Sequence, residues 1–207
     1  MDHAYTVLEF WFGKLPLAPQ ALNGRMLFWF GGREPAEVRA VRDREMQRRF
    51  DALLERAASG KLASWAASPR QRLALILLLD QIPRNVHRGT AAAFAQDAAA
   101  LSLALEGVQS GADAALDPVE RLFFYMPLQH AESRDVQEES VAAYRRLLGE
   151  APVPLRSTFE AALRSAEQHR SIIDRFGRFP HRNAALARAA TADEIAWLKA
   201  NPHGFGQ

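Results

Sequence analysis

Apolar residues in this chain recur every three or four positions, and wherever Val and Ile occur they fail to alternate with polar neighbours as a half-buried strand requires. That period is helical, so the chain is read as helix after helix. Leu155, Phe159, Ala162, Leu163, Ala166, Ile173 and Phe176 share one face at ~100° per residue. Val38, Met46, Phe50, Leu53 and Ala57 mark a second such face, and Val136, Val141, Tyr144 and Leu147 a third. The segment from Pro69 to Gln81 is apolar nearly all round, which predicts a central buried helix.

Start signals divide the chain. Ser68-Pro69-Arg70-Gln71 and Asp117-Pro118-Val119-Glu120 read as capping boxes with Pro at the first helical position. Thr90, Ser133 and Thr191 are further N-cap candidates, the last with Glu194 three residues on. The predicted helices cover about 3–12, 35–58, 69–81, 91–108, 118–126, 134–148, 155–176, 183–189 and 192–200. Connections are short and no Ser/Gly/Pro tract splits the chain, so residues 1–207 are expected to form a single all-helical domain. Two echoes recur, Phe10-Trp11-Phe12-Gly13 with Phe28-Trp29-Phe30-Gly31, and Ile82-Pro83-Arg84-Asn85 with Phe179-Pro180-His181-Arg182-Asn183. Neither repeats at a solenoid period.

Composition narrows the function classes. A hydrophobic content of 48% excludes a disordered chain, and the longest apolar run, Leu73 to Leu79, is far short of a bilayer span, so no membrane association is expected. Met1-Asp2-His3 begins acidic and shows no signal-peptide pattern, and the absence of cysteine fits a cytoplasmic home. A net charge of +2 is too mild to argue for nucleic acid. Lys occurs only at Lys14, Lys61 and Lys199, so the cations are nearly all Arg, the better bidentate clamp for anions.

Polar residues gather in a few knots. His169 to Asn183 crowds two His, four Arg, an Asp and an Asn around Phe176 and Phe179. Helical phase turns Asp43, Gln137 and His169 inward, each on a different helix. Asp80 ends the central helix, where the dipole disfavours a carboxylate, so it demands a cation: Arg84, Arg175 or Arg178. A further knot, Pro127-Leu128-Gln129-His130-Ala131-Glu132, follows a strongly apolar helix. Each knot also has an architectural reading, with Pro83 and Pro180 stopping helices, Asn85 and Asn183 capping, and Gly177 as a left-handed C-terminal residue beside Arg178.

Several of these strings resemble a known family. Phe10 to Gly13, Leu78 to Asn85, Arg88-Gly89-Thr90, Ala93 to Asp97, Pro127 to Glu132 and Phe176 to Asn183 look like the motifs of bacterial domain-of-unknown-function family 924, over nearly the whole chain. Asp43-x-x-Met46-x-x-x-Phe50 fits that family's D-x-x-I-x-x-x-F pattern, whereas Gln129 stands where the family usually carries Glu. The resemblance implies an all-α, tetratricopeptide-like, right-handed superhelical array of about eight or nine helices in a single compact domain. It implies no activity.

Three functional readings follow. In the first, a pocket binds or acts on a small anionic metabolite, a carboxylate or phosphate. His169, His130 and Asp80 are its candidate catalytic residues, and Arg84, Glu132, Gln137, Arg175, Arg178, His181, Arg182 and Asn183 its candidate ligand-binding residues. Hydrolysis or group transfer is the concrete expectation. No Cys, G-x-S-x-G, P-loop or G-x-G-x-x-G supplies a nucleophile or a cofactor motif, so no cofactor is expected. In the second, the chain is a tetratricopeptide-like scaffold with a protein or peptide partner, and the knots are architecture. The third, a metal at His130, Glu132, His169 and Asp80, is the weakest, because no ligand pair sits at i,i+4 as in H-E-x-x-H, and no metal is assigned.

Overall fold

The computed structural model describes residues 3–17, 19–30 and 34–201. Met1, Asp2 and Gly31, which figure in the sequence reading above, lie outside them. Within them the chain is all-α, with no strand. The α-helical segments are α1 (His3–Phe12), α2 (Pro19–Phe30), α3 (Ala36–Ala58), α4 (Pro69–Ile76), α5 (Ile82–Val86), α6 (Asp97–Gln109), α7 (Pro118–Phe124), α8 (Met126–His130), α9 (Arg134–Gly149), α10 (Arg156–Phe176) and α11 (Ala192–Ala200). α4 and α5 are two ends of one rod, joined by a π-helical turn over Leu77–Gln81.

That rod is the axis of the core, as its apolar circumference predicts. Every residue from Leu73 to Arg84 is buried. α4 packs against α1, α6 and α7, and α5 against α3. α9 and α10 form an antiparallel pair, since Arg134 at the start of α9 donates to the Asp174 carbonyl near the end of α10 at 3.0 Å. One apolar cluster runs from Ala4 to Ala166, and a smaller one joins Ile172, Ile173 and Phe179.

Several boundaries differ from the sequence reading, each for a stated reason. Pro83 does not stop the central helix. The π turn lets the Ile82 N–H reach the Leu77 carbonyl five residues back, so the missing Pro83 donor is accommodated and the helix runs on to Val86. Side chains then take up carbonyls near the break, Arg84 donating to the Asp80 carbonyl at 2.7 Å and Asn85 to that of Gln81 at 2.9 Å. The segment predicted as one helix over 91–108 is a 3-10 turn, Ala91–Phe94, followed by α6, and the 118–126 segment closes at Phe124 before α8 restarts at Met126. Residues 183–187 are turns rather than a helix, with Ala187 at φ +51°, because Asn183 and Arg188 are held by tertiary partners that outweigh helix propensity.

α2 was missing from the sequence reading, since Asn23 and Gly24 weaken its propensity. It forms because it closes the end of α1. Arg25 donates to the Phe10 carbonyl at 3.0 Å, Trp29 Nε1 donates to the Trp11 carbonyl at 2.9 Å, and rings of Phe10 and Phe28 meet edge to face. Gly13, at φ +72°, supplies the left-handed residue there, and a Cβ on it would meet Arg25 Nη2 at 2.5 Å. The capping boxes at Asp117 and Thr191 are formed as predicted, while Ser68, Thr90 and Ser133 make no side-chain cap. Val38, expected on a core face, is 49% exposed.

Candidate functional site

The π turn places Asp80 at the centre of the molecule, with no exposed surface, and its carboxylate is fully engaged. His130 Nδ1 lies 2.7 Å from Oδ1 and Arg84 Nη1 lies 3.1 Å from the same oxygen, while the Gln81 amide donates to Oδ2. Burial works to raise the Asp80 carboxyl, but Arg84 and then His130 outweigh it and hold it well below the usual carboxylate range. An ionised acceptor at Oδ1 fixes the His130 tautomer, with the proton on Nδ1. Nε2 of His130 has no protein partner among the described residues and is not sealed from solvent.

A second carboxylate, Asp97 at the first turn of α6, ties two arginines to this pair. Arg84 grips it bidentately at 2.8 and 2.9 Å, and Arg182 Nη1 reaches it at 3.1 Å. Arg182 also donates from Nη2 to the His130 carbonyl at 3.0 Å. Its guanidinium lies over two rings, 4.8 Å from the Phe94 centroid and 4.6 Å from that of Phe179. Two buried cations therefore share Asp97, which remains partly exposed, and burial followed by Arg84 lowers Arg182 to about 10.

Three imidazoles surround Phe179 and Arg182. Burial, and then Arg84, keep His130 below its ordinary value in spite of Asp80. His169 and His181 are each pushed down to about 3, first by burial, and both also feel His130 and Arg182 as repelling charges. His169 is 5% exposed and donates from Nδ1 to the Ser165 carbonyl, one turn back, at 2.8 Å. Its ring centroid is 6.3 Å from that of His130 and 5.5 Å from that of Phe179.

The structure thus brings Asp80, Arg84, His130, His169, His181 and Arg182 together, and sets the other candidates apart. Glu132 pairs with Arg188 at 2.7 and 3.1 Å and accepts from the Phe179 N–H. Arg178 holds Glu194 through two bonds of 2.7 and 2.8 Å, Asn183 donates to Glu194 at 3.3 Å, and Arg175 faces Asp193. These contacts fasten α11 and the 179–189 turn. Of the three cations proposed for Asp80, only Arg84 is there. Gln137 is wholly buried, as its phase predicts, and its amide donates to the carbonyls of Gln129 and Ala131 at 2.8 Å each, closing the end of α8. Asp43 faces Arg88, which in turn reaches Asn85. Among the described residues no three His, Asp or Glu side chains converge as metal ligands would.

Sequence reasoning passed over Asp97, Phe94 and Arg188. Asp97 belongs to the Ala93-Phe94-Ala95-Gln96-Asp97 string, but it begins a helix instead of interrupting an apolar stripe, so helical phase could not single it out.

Comparison with known proteins agrees with this architecture. The family model for bacterial proteins of unknown function (DUF924) matches residues 7–202. A solved structure of a protein of unknown function from Agrobacterium tumefaciens is 33% identical, and the match covers 96% of this chain and 97% of that one with a TM-score of 0.78. No curated protein matches the chain. With its family model spanning nearly all of the sequence and its all-helical fold shared with that structure, the chain belongs to the bacterial DUF924 family.

Proposed function

We propose that the protein binds a small anionic metabolite beside the Asp80–His130 pair and acts on it by general base catalysis, in a hydrolysis or group transfer. One observation carries this reading: a fully buried, charge-compensated aspartate fixes the His130 tautomer and leaves Nε2 open. An imidazole so held takes a proton from a water or hydroxyl at Nε2, forming the N–H bond as the O–H bond breaks, and the imidazolium is stabilised by Asp80. The surrounding field favours an anion, since Arg182 pushes on all three histidines and Arg84 on His130 and His181. Arg175 and Arg178 take no part.

The test uses inorganic phosphate and citrate as probes in thermal melting, and p-nitrophenyl phosphate and p-nitrophenyl acetate as chromogenic substrates, on the wild type and on His130→Gln. Stabilisation by a probe, and turnover that falls at least ~100-fold in His130→Gln, are expected. Neither probe stabilising the wild type, together with equal turnover in both proteins, would overturn the reading.

A second reading, a tetratricopeptide-like scaffold for a peptide, draws on Tyr5, Leu27, Phe30, Val38 and Val41, large apolar side chains left exposed on α1 to α3. It is supported if binding of an amphipathic peptide is abolished by Val41→Asp and untouched by His130→Gln.

A further inference from the structure

We propose that Arg182 is a positioning residue that fixes His130 as the base of this site. The proposal rests on the reading that His130 acts as a base, and concerns what keeps it one.

An Asp–His pair alone draws the imidazole towards its protonated form, because the carboxylate stabilises the cation. A base must stay unprotonated, so something has to oppose Asp80. Burial and Arg84 do so, and Arg182 is placed to add to them. It is bonded through Nη2 to the carbonyl of His130 itself, at the last residue of α8, so its position and that of the imidazole are linked through a single residue. Its guanidinium lies over the rings of both Phe94 and Phe179, and Asp97 fixes Nη1. A flexible cation would relax away from a protonating neighbour; this one is held.

The charged and titratable groups facing His130 come from every packed element. Asp80 and Arg84 lie on the central rod, Asp97 on α6, His169 on α10, and His181 and Arg182 in the 180–182 turn, with Glu132 two residues along the chain. Glu132 is taken up by Arg188 and Asp97 by the two arginines, so neither offsets Arg182 freely. Asp80 pulls towards the imidazolium, while burial first, then Arg84, and with them Arg182 push against it.

The experiment is a pH titration of protein labelled with nitrogen-15 histidine, which reads both the tautomer and the protonation midpoint of His130 without any ligand. Arg182→Gln is expected to raise that midpoint by about half a pH unit or more, roughly a threefold change in protonation equilibrium. Arg182→Lys, which keeps the charge and loses the planar fork, should return the midpoint towards wild type. Asp97→Asn should lower it, by removing the anion that the two arginines share. A midpoint unmoved in Arg182→Gln shows a purely structural arginine and overturns the proposal. Where Arg182→Gln does not fold, an unmoved midpoint in Asp97→Asn has the same force. Because no ligand enters the measurement, this proposal can fail while probe binding stands, and the reverse.

Discussion

Asp80 shows how much a single buried carboxylate demands. Taking one from water costs several kcal/mol, and here Arg84, His130 and Gln81 all turn towards it. The need for an arginine was legible in the sequence from a carboxylate at the end of an apolar helix; His130 was read into the same pocket, but its direct bond to Asp80 was not legible. His169 and His181 carry a consequence for stability. Folded, both titrate near pH 3, against an ordinary value of about 6.5. Between those values the unfolded chain binds more protons than the native one, so stability is complete above pH 6.5 and is lost as pH falls. Each histidine contributes a slope of about 1.4 kcal/mol per pH unit in that window. Urea unfolding at pH 6.0, 5.25 and 4.5 should show it, and His169→Gln should reduce the slope by about that amount. An unchanged slope would mean that His169 is already protonated in the native state.

At the scale of elements, the π turn and the caps decide what the helices present. Pro83 in the sequence reads as a stop, yet a five-residue backbone bond at Ile82 carries the helix past it and leaves Asp80 facing the end of α8. The boxes at Asp117 and Thr191 were legible because their partners lie three residues away, whereas the box read at Ser68 does not form, because capping needs a geometry that spacing alone does not supply. Close packing of helices has its own marker in Gly107 on α6. A Cβ there would meet Phe124 Cζ of α7 at 2.4 Å and Arg72 Cδ of α4 at 3.0 Å. Gly107→Ala is therefore expected to cost about 1–3 kcal/mol despite its gain in helix propensity, measured as a shift of the urea midpoint. A stabilised variant would show that α6 moves aside without strain.

Across the whole molecule, one aromatic residue joins the N-terminal helices to the rest. Phe123 is fully buried, and its ring meets those of Trp11, Phe12, Trp29 and Phe30 at 4.7 to 6.1 Å. Phe123→Ala should lower stability by about 3–5 kcal/mol, with loss of amide protection in both α1 and α2 by hydrogen exchange. Protection retained in α2 would show that it docks without this ring. The two Phe-Trp-Phe strings of the sequence are thus the two sides of one packing contact, which neither string reveals alone.

Periodicity by itself determined the helical class, the buried rod from Leu73 and the inward phase of Gln137 and His169, because these follow from local geometry of 3.6 residues per turn. It could not determine partners. Gln137 and His169 both point inward, yet one closes a helix end and the other stands among histidines. Arg84 and Arg178 were both candidates for the cation of Asp80, yet one neutralises it and the other holds α11 through Glu194. Only the tertiary structure decided that Asp97 joins two arginines and that His130 meets Asp80. Such pairings link residues 13 to 85 positions apart, and which pair forms depends on how the helices stack.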